Sequence, residues 1–490
     1  MRLGIMDNRD RLVKGSFYMM LDNVTNIVVG ALFWIVMAKL VEPNILGQVM
    51  VAVALATTVI GFTGSGTNIM ISKYVAEFNA KKMLHNSRRV LIIGLRLALA
   101  VSGAVTLLII LLASNIAENV YKDPSIAPFL IFSAIGFIPS QTIQMALKGA
   151  FEGAQKMKHS LFITIIFQGV RLASAIVLVI YGLSGLGIIA GFAAGTSIAA
   201  IVGYYLIHKI IPKSKEKYDE LKRTLKFSGL NYINVGMRMS TLQIGVMVLG
   251  TQNFEFAAFY GLATIISRIV GGLNFAISRA LLPTISAEYA LGSKDKIQNM
   301  FNTSVRMSLI LSGFVLIVLF LKPSYVLSLL SESYIQASLA LRILVISALL
   351  NSLGMIVLSV LNAANKPHNV AYAGVISSIV AIALTFVLAP FFSLEGAALA
   401  MLIGSIILTI LSLYLLKKEE GIVLKIKNAA RPIGSIAVAI AIGFFISYLF
   451  DNALLVLTIA LITHALLSFG FRATNKNEIK SLLNTLVKRA

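Results

Sequence analysis

The sequence predicts an all-α integral membrane protein of about 14 transmembrane helices, and three observations carry that reading. Of its 490 residues, 58% are hydrophobic and only 13% charged, about half the charged share of a soluble domain. Apolar runs of about 18 to 27 residues succeed one another along the chain, long enough to cross ~30 Å of hydrocarbon as helices. Lys and Arg fall almost wholly in alternate connectors, the pattern of cytoplasmic loops.

Taken in order, the first fourteen residues are polar and charged. The run that begins at Gly15 lacks a small-residue cleavage site, so it is expected to be a retained first span and not a removed signal peptide. Spans one to six are expected at 15–38, 45–71, 90–114, 126–147, 159–181 and 186–208. A basic connector, Lys209 to Lys226, precedes spans seven to twelve at 228–250, 256–282, 303–321, 337–363, 368–390 and 393–416. A second one, Lys417 to Arg431, leads to spans at 432–450 and 453–471. The expected division is a six-helix lobe (1–208), a basic cytoplasmic connector (209–227), a second six-helix lobe (228–416), and a connector, two further helices and a cytoplasmic tail (417–490).

With the N-terminus placed inside, 34 of the 42 basic residues fall on the cytoplasmic side, counting Arg279 and Arg306 with the inner ends of their spans. Only Lys39, Lys122 and Lys322 fall outside, and Arg96, Arg171, Arg238, Arg268 and Arg342 lie within spans. That bias puts both termini in the cytoplasm of a multi-pass cell (plasma or inner) membrane protein. The net charge of +22 is spread over these connectors, which excludes a nucleic-acid patch and leaves membrane lipid as the neighbour. With no Cys, disulfides and thiolate metal sites are excluded.

An internal repeat is visible. Asn23-Val24 and Ala76-Glu77 match Asn234-Val235 and Ala287-Glu288 at an offset of 211. Arg96-Leu97, Ser102-Gly103 and Gln155-Lys156 match Arg306-Met307, Ser312-Gly313 and Asn365-Lys366 at 210, and Gly187 and Gly195 match Gly396 and Gly404 at 209. Six helices per repeat is an even number, so the halves share one orientation and are related by a pseudo-two-fold along the membrane normal. The last two helices lie outside the repeat.

Motifs within those repeats resemble the multidrug/oligosaccharidyl-lipid/polysaccharide exporter superfamily, and within it the polysaccharide-transport branch, the oligosaccharide flippases. They are Leu46-Gly47-Gln48, Lys73-Tyr74-Val75-Ala76-Glu77 and the run Lys148 to Lys156 in the first half. In the second half they are Ala258 to Ala263, Leu282-Pro283-Thr284-Ile285-Ser286, Leu341 to Leu344 and Glu395-Gly396-Ala397-Ala398. The branch often carries an Asp in the middle of the seventh span, where this chain has Gln243-Ile244-Gly245.

By depth, Arg171, Arg238 and Arg268 fall near the centres of their spans, and the nearest acid, Asp22, lies a turn or more toward the cytoplasm. A charge at that depth is costly and is usually turned to a bundle interior or wet cavity. Guanidinium groups there suit an anion, since they stay protonated and pair bidentately with phosphate. The resemblance implies a polyprenyl-(di)phosphate-linked oligosaccharide, flipped between leaflets by alternating access, with glycan polymerase or ligase components as partners. It makes Arg268, Arg238, Arg171 and Arg279 candidates for the anionic headgroup. Asn23, Asn26, Asp22, Thr58, Asn68 and Asn274 are candidates for sugar or cavity contacts. The bland alternative for each arginine is a bond to a helix carbonyl or to Asp22; for Arg342, at the outer edge of its span, that alternative is preferred. His464 is expected to pack.

No Gly-x-x-x-x-Gly-Lys-Ser/Thr loop and no His/Glu zinc spacing is present, and the connectors are too short for a catalytic domain. A transporter without cofactor or metal is expected, and not an enzyme. A cation-exporting drug antiporter of the same superfamily would need a midplane carboxylate. A peptidoglycan-precursor flippase would have an arginine-rich first span, and Gly15 to Ala38 holds none. A membrane glycosyltransferase or glycan polymerase fits neither the repeat nor the short outer loops.

Overall fold

The computed structural model describes residues 2–81, 83–211 and 221–470, with the side chains of most of them. Residues 212–220 of the first basic connector and the tail from 471 lie outside the described residues. Among those described, eleven apolar helical stretches are long enough to cross a membrane. Two of these are 54 residues long and each bends back on itself, making two passes. The remaining pass is the apolar part of a helix at Val235–Gly250. The result matches the 14 expected passes and makes a multi-pass, all-helical membrane protein, because only internally bonded backbone is tolerated in hydrocarbon.

Contacts divide the chain into two units, Met1–Gly261 with Thr385–Ser393, and Leu262–Leu384 with Leu394–Ala490. In order, the helices of the first are α1 (Arg2–Leu40), α2 (Pro43–Thr63), α3 (Ser65–Ala80), α4 (Leu84–Asn115), α5 (Ala127–Phe132), α6 (Ile138–Gly153), α7 (Met157–Leu178), α8 (Ser184–Ile210) and α9 (Leu221–Gly250). The chain continues with α10 (Phe254–Ala290), α11 (Lys294–Leu321), α12 (Pro323–Ser328), α13 (Ser338–Ala363), α14 (Pro367–Glu420), α15 (Ile426–Leu449) and α16 (Ala453–Gly470). Pro43 and Pro367 stand in the first turns of α2 and α14, where a missing N–H costs nothing. Five-residue π-helical turns follow α4, α5 and α7, at Ile116–Val120, Ser133–Phe137 and Val179–Leu183.

The first unit is held by close backbone approach, the means by which membrane helices associate without a hydrophobic force between them. A Cβ on Gly149 would lie 2.4 Å from the Asn68 carbonyl oxygen, and one on Gly153 2.5 Å from that of Ser72, so α6 lies directly on α3. The Asn68 amide adds a bond to the Met145 carbonyl at 2.8 Å. A Cβ on Gly47 of α2 would fall 1.8 Å from the Phe254 carbonyl oxygen, and those on Gly61 and Gly250 would meet Met239 and Val51. α2 thus runs against α9 and the start of α10. Gln48 donates to the Ser125 hydroxyl at 2.7 Å, which gives Leu46-Gly47-Gln48 a physical content.

In the second unit, α13 joins α10 through Asn274 and α11 through Arg342. The Arg342 Nε donates to the Phe320 carbonyl at 3.0 Å, at the end of α11, and its guanidinium stands 5.9 Å from the Phe444 ring of α15. Its structural reading is the one the geometry gives, a cation on a helix C-terminus. α15 and α16 dock on α11, where the wholly buried His464 bonds the Ile310 carbonyl and the Ser435 hydroxyl, both at 3.1 Å. Gly313 makes the room, since a Cβ there would meet the His464 ring at 2.7 Å. The extended stretch after α14 is gripped by α11: Gln298 both accepts from the Val423 N–H (2.9 Å) and donates to its carbonyl (2.6 Å), and Asn302 accepts from the Lys425 N–H (2.8 Å).

The repeat is written in the backbone. Gln155 and Asn365 have φ of 57° and 58°, and Ser184 and Ser393 have φ of 44° and 45°, at offsets of 210 and 209. The same left-handed corners therefore stand at the same places in both halves.

Candidate functional site

Three of the first unit's candidates, Asp22, Asn26 and Arg171, lie along one seam between α1, α6 and α7. α1 and α7 run the same way. On α7, Thr164, Gln168 and Arg171 are all buried, and their spacing of four and three residues puts them on one face. Asp22 of α1 accepts two bonds from the Lys148 ammonium of α6, at 2.8 and 3.0 Å, and Lys148 also donates to the Thr164 hydroxyl at 2.8 Å. Among the described residues Asp22 thus pairs with a lysine and with no arginine. The pair is largely withdrawn from solvent, with 16% of the lysine and 13% of the aspartate side chain exposed. A turn further along, Gln168 donates to the Asn26 carbonyl oxygen at 3.0 Å.

Arg171 comes next, 5% exposed. Its guanidinium carbon lies 4.1 Å from the centre of the Phe33 ring, 4.8 Å from Phe192 and 5.0 Å from Phe167. Phe137 and Trp34 continue the aromatic cluster around Phe192. The rings attract the cation through their faces and close it off from any large ligand.

Arg238, on α9, is by contrast exposed, while protein surrounds it at longer range. In the second unit, Arg268 of α10 is half-buried, next to the buried Ser267 and one turn from the buried Thr264. The side chain of Arg279 lies outside the described residues.

The smaller polar candidates are occupied within the protein. Asn23 donates to the Met19 carbonyl of its own helix at 2.7 Å, and Asn26 to that of Asp22 at 3.0 Å. Asn68 is spent on Met145. Thr58 faces the Met247 sulfur across the α2–α9 contact at 3.9 Å, and Asn274 donates to the Ser352 hydroxyl at 2.6 Å from a fully buried position. Those of Asn68, Thr58 and Asn274 join helices, while those of Asn23 and Asn26 stay within α1.

Sequence reasoning counted Lys148 with the cytoplasmic connector; it stands inside α6, paired. Gln168 and Thr164 went unremarked. Their signal was present in the i, i+4, i+7 pattern that ends on Arg171. Among the described residues no group of three or more His, Asp or Glu side chains is arranged to hold a metal.

A profile of the polysaccharide biosynthesis protein family matches residues 12–293. The chain belongs to that family. It is therefore a member of the multidrug/oligosaccharidyl-lipid/polysaccharide exporter superfamily, polysaccharide-transport branch, and a MatE profile matches residues 234–387 in addition. Stage V sporulation protein B of Bacillus subtilis is 24% identical over 471 residues, covering 90% of this chain and 89% of that protein. Among solved structures, the lipid II flippase MurJ in an inward closed conformation superposes with a TM-score of 0.71 at 14% identity, covering 93% of this chain and 99% of its own. An inward-facing multidrug resistance MATE family transporter gives 0.69 at 12% identity, covering 84% and 98%. The fold is that of membrane transporters and flippases.

Proposed function

We propose that this protein translocates a polyprenyl-(di)phosphate-linked oligosaccharide from the cytoplasmic to the outer leaflet of the cell membrane by alternating access, without chemistry of its own and with both termini cytoplasmic. The observation that carries the proposal is Arg238: a guanidinium exposed in mid-span, while the acid nearest any span centre, Asp22, is bound by Lys148. A surface with free cationic character and a neutralised carboxylate favours an anionic headgroup over an organic cation. Arg268 is assigned to the same headgroup, and Arg279 to its recruitment at the cytoplasmic end. Arg171 is left out of that set because rings enclose it.

The test is delivery of surface glycan in cells carrying Arg238→Ala or Arg268→Ala, with lipid-linked saccharides extracted and assigned to a leaflet. A charge-assisted contact contributes about 1.5–3 kcal/mol, so delivery is expected to fall about 10- to 100-fold, with precursor accumulating in the inner leaflet. Arg238→Lys keeps the charge but not the fork and is expected to fall between. Normal delivery by both alanine variants at normal protein levels would overturn the assignment.

A further inference from the structure

The α15–α16 hairpin lies outside the internal repeat, and the proposed function leaves it without a role. The chain that leads into it is fixed before α15 begins. Ile422 is buried, Gln298 of α11 holds both the N–H and the carbonyl of Val423, and Asn302 accepts from the Lys425 N–H. Lys425, Lys427 and Arg431 follow on this fixed base, and all three are exposed. Cations of other connectors are spent inside the protein, Lys81 on Glu77, Lys296 on Glu288 and Lys366 on Glu419. Among the described residues, Lys425, Lys427 and Arg431 have no acid within ion-pair distance.

An apolar face of α15 begins at the same place. At about 100° per residue, Ile426, Ala430, Ile433 and Ala437 fall within a sector of about 60°. All four are exposed, Ile426 to 81%, and the exposed Phe444 continues the sector toward the far end of the helix. Lys427 and Arg431 border it, one turn and about 6 Å apart, so that both reach one phosphate. A matching ligand has hydrocarbon along the helix and a negative headgroup at its base. We propose that this end of α15 seats an anionic phospholipid, its phosphate on Lys427 and Arg431 with Lys425 beside them, and an acyl chain along Ile426 and Ile433. Because α11 already holds the backbone at Val423 and Lys425, little chain remains to be ordered on binding. The whole surface lies within the second unit and does not depend on the function proposed above.

The chain has no cysteine, so Ile433→Cys carries a single small fluorophore on this face. The full-length protein is placed one copy per nanodisc in phosphatidylcholine, and spin-labelled phosphatidylglycerol or spin-labelled phosphatidylcholine is added as quencher. Each cation near a membrane surface favours an anionic lipid by about fivefold. Expected is saturable quenching by phosphatidylglycerol at a mole fraction about 10- to 100-fold lower than phosphatidylcholine needs. The preference is expected to vanish in the triple variant Lys425→Gln, Lys427→Gln, Arg431→Gln, which changes only exposed side chains. Equal quenching by the two lipids would overturn the proposal and leave the three cations reaching to water. A preference that survives in the triple variant overturns it as well. So does relief of quenching by a polyprenyl diphosphate at a lower mole fraction than unlabelled phosphatidylglycerol, which would give the face to a transported lipid.

Discussion

Replacing Lys148 by Met, Asp22 by Asn, and both together dissects the ion pair at the foot of the α1–α7 seam. The ammonium sits 2.8 and 3.0 Å from the two carboxylate oxygens. At an effective dielectric of about 20, unit charges that close attract by about 5–6 kcal/mol, and desolvation takes back most of it. With 16% and 13% of the side chains exposed, the pair lies near the buried limit, where removing one partner costs about 3–5 kcal/mol because the other charge is stranded. Each single variant is expected to lose about that much, and the double variant less than about 2 kcal/mol, since no charge is then left alone. Unfolding in nanodiscs, followed by Trp34 fluorescence, closes the cycle. A coupling below about 0.5 kcal/mol, the value of an exposed pair, would refute the reasoning and make Lys148 a solvated residue.

Further outcomes follow from the same geometry. Gly47→Ala puts a methyl 1.8 Å from the Phe254 carbonyl oxygen and should lower the unfolding midpoint. Gly103→Ala, where nothing stands within 4 Å, should raise stability by about 0.5–1 kcal/mol; equal effects would contradict the packing. His464→Ala removes the bond that seats α16 on α11 and the one that ties it to α15 and should make the α15–α16 hairpin more sensitive to protease while α1–α9 stay protected. Ser184→Gly and Ser393→Gly relieve left-handed corners, each worth about 1 kcal/mol after the entropy added to the unfolded chain. A fall in melting temperature for either would argue that the serine side chain holds the corner.

Sequence reading located the passes well because burial in lipid is dictated by local composition. Even the turnbacks near 182–184 and 393 fall where one expected span (159–181, 368–390) gives way to the next (186–208, 393–416). Side-chain partners are less legible. Asn68, Asn274 and Thr58 looked like a sugar-binding surface because small polar groups in a membrane are either functional or bonded. Which of the two holds depends on Met145, Ser352 and Met247, 77, 78 and 189 residues away. Lys148 was invisible as a buried charge because its depth depends on Gly149 drawing α6 against α3. Arg171 showed as a costly midspan charge, but its aromatic surroundings come from α1 and α8 as well as its own helix.

The repeated corners also record how the two halves came to differ. From Gln155 to Ser184 the chain advances 29 residues, while from Asn365 to Ser393, between corners of matching backbone, it advances 28. The longer half carries a π-helical turn at Val179–Leu183, immediately before its corner, whereas α14 reaches Ser393 without one. One residue added to a helix shifts everything after it by about 100° unless the winding locally widens, and a π turn is that widening. The fifth pass is therefore one residue longer between its left-handed residues than its counterpart, and the widened turn takes up the difference. Deleting one residue within 179–183 should remove the π turn and leave Ser184 in register, the spacing that α14 already has.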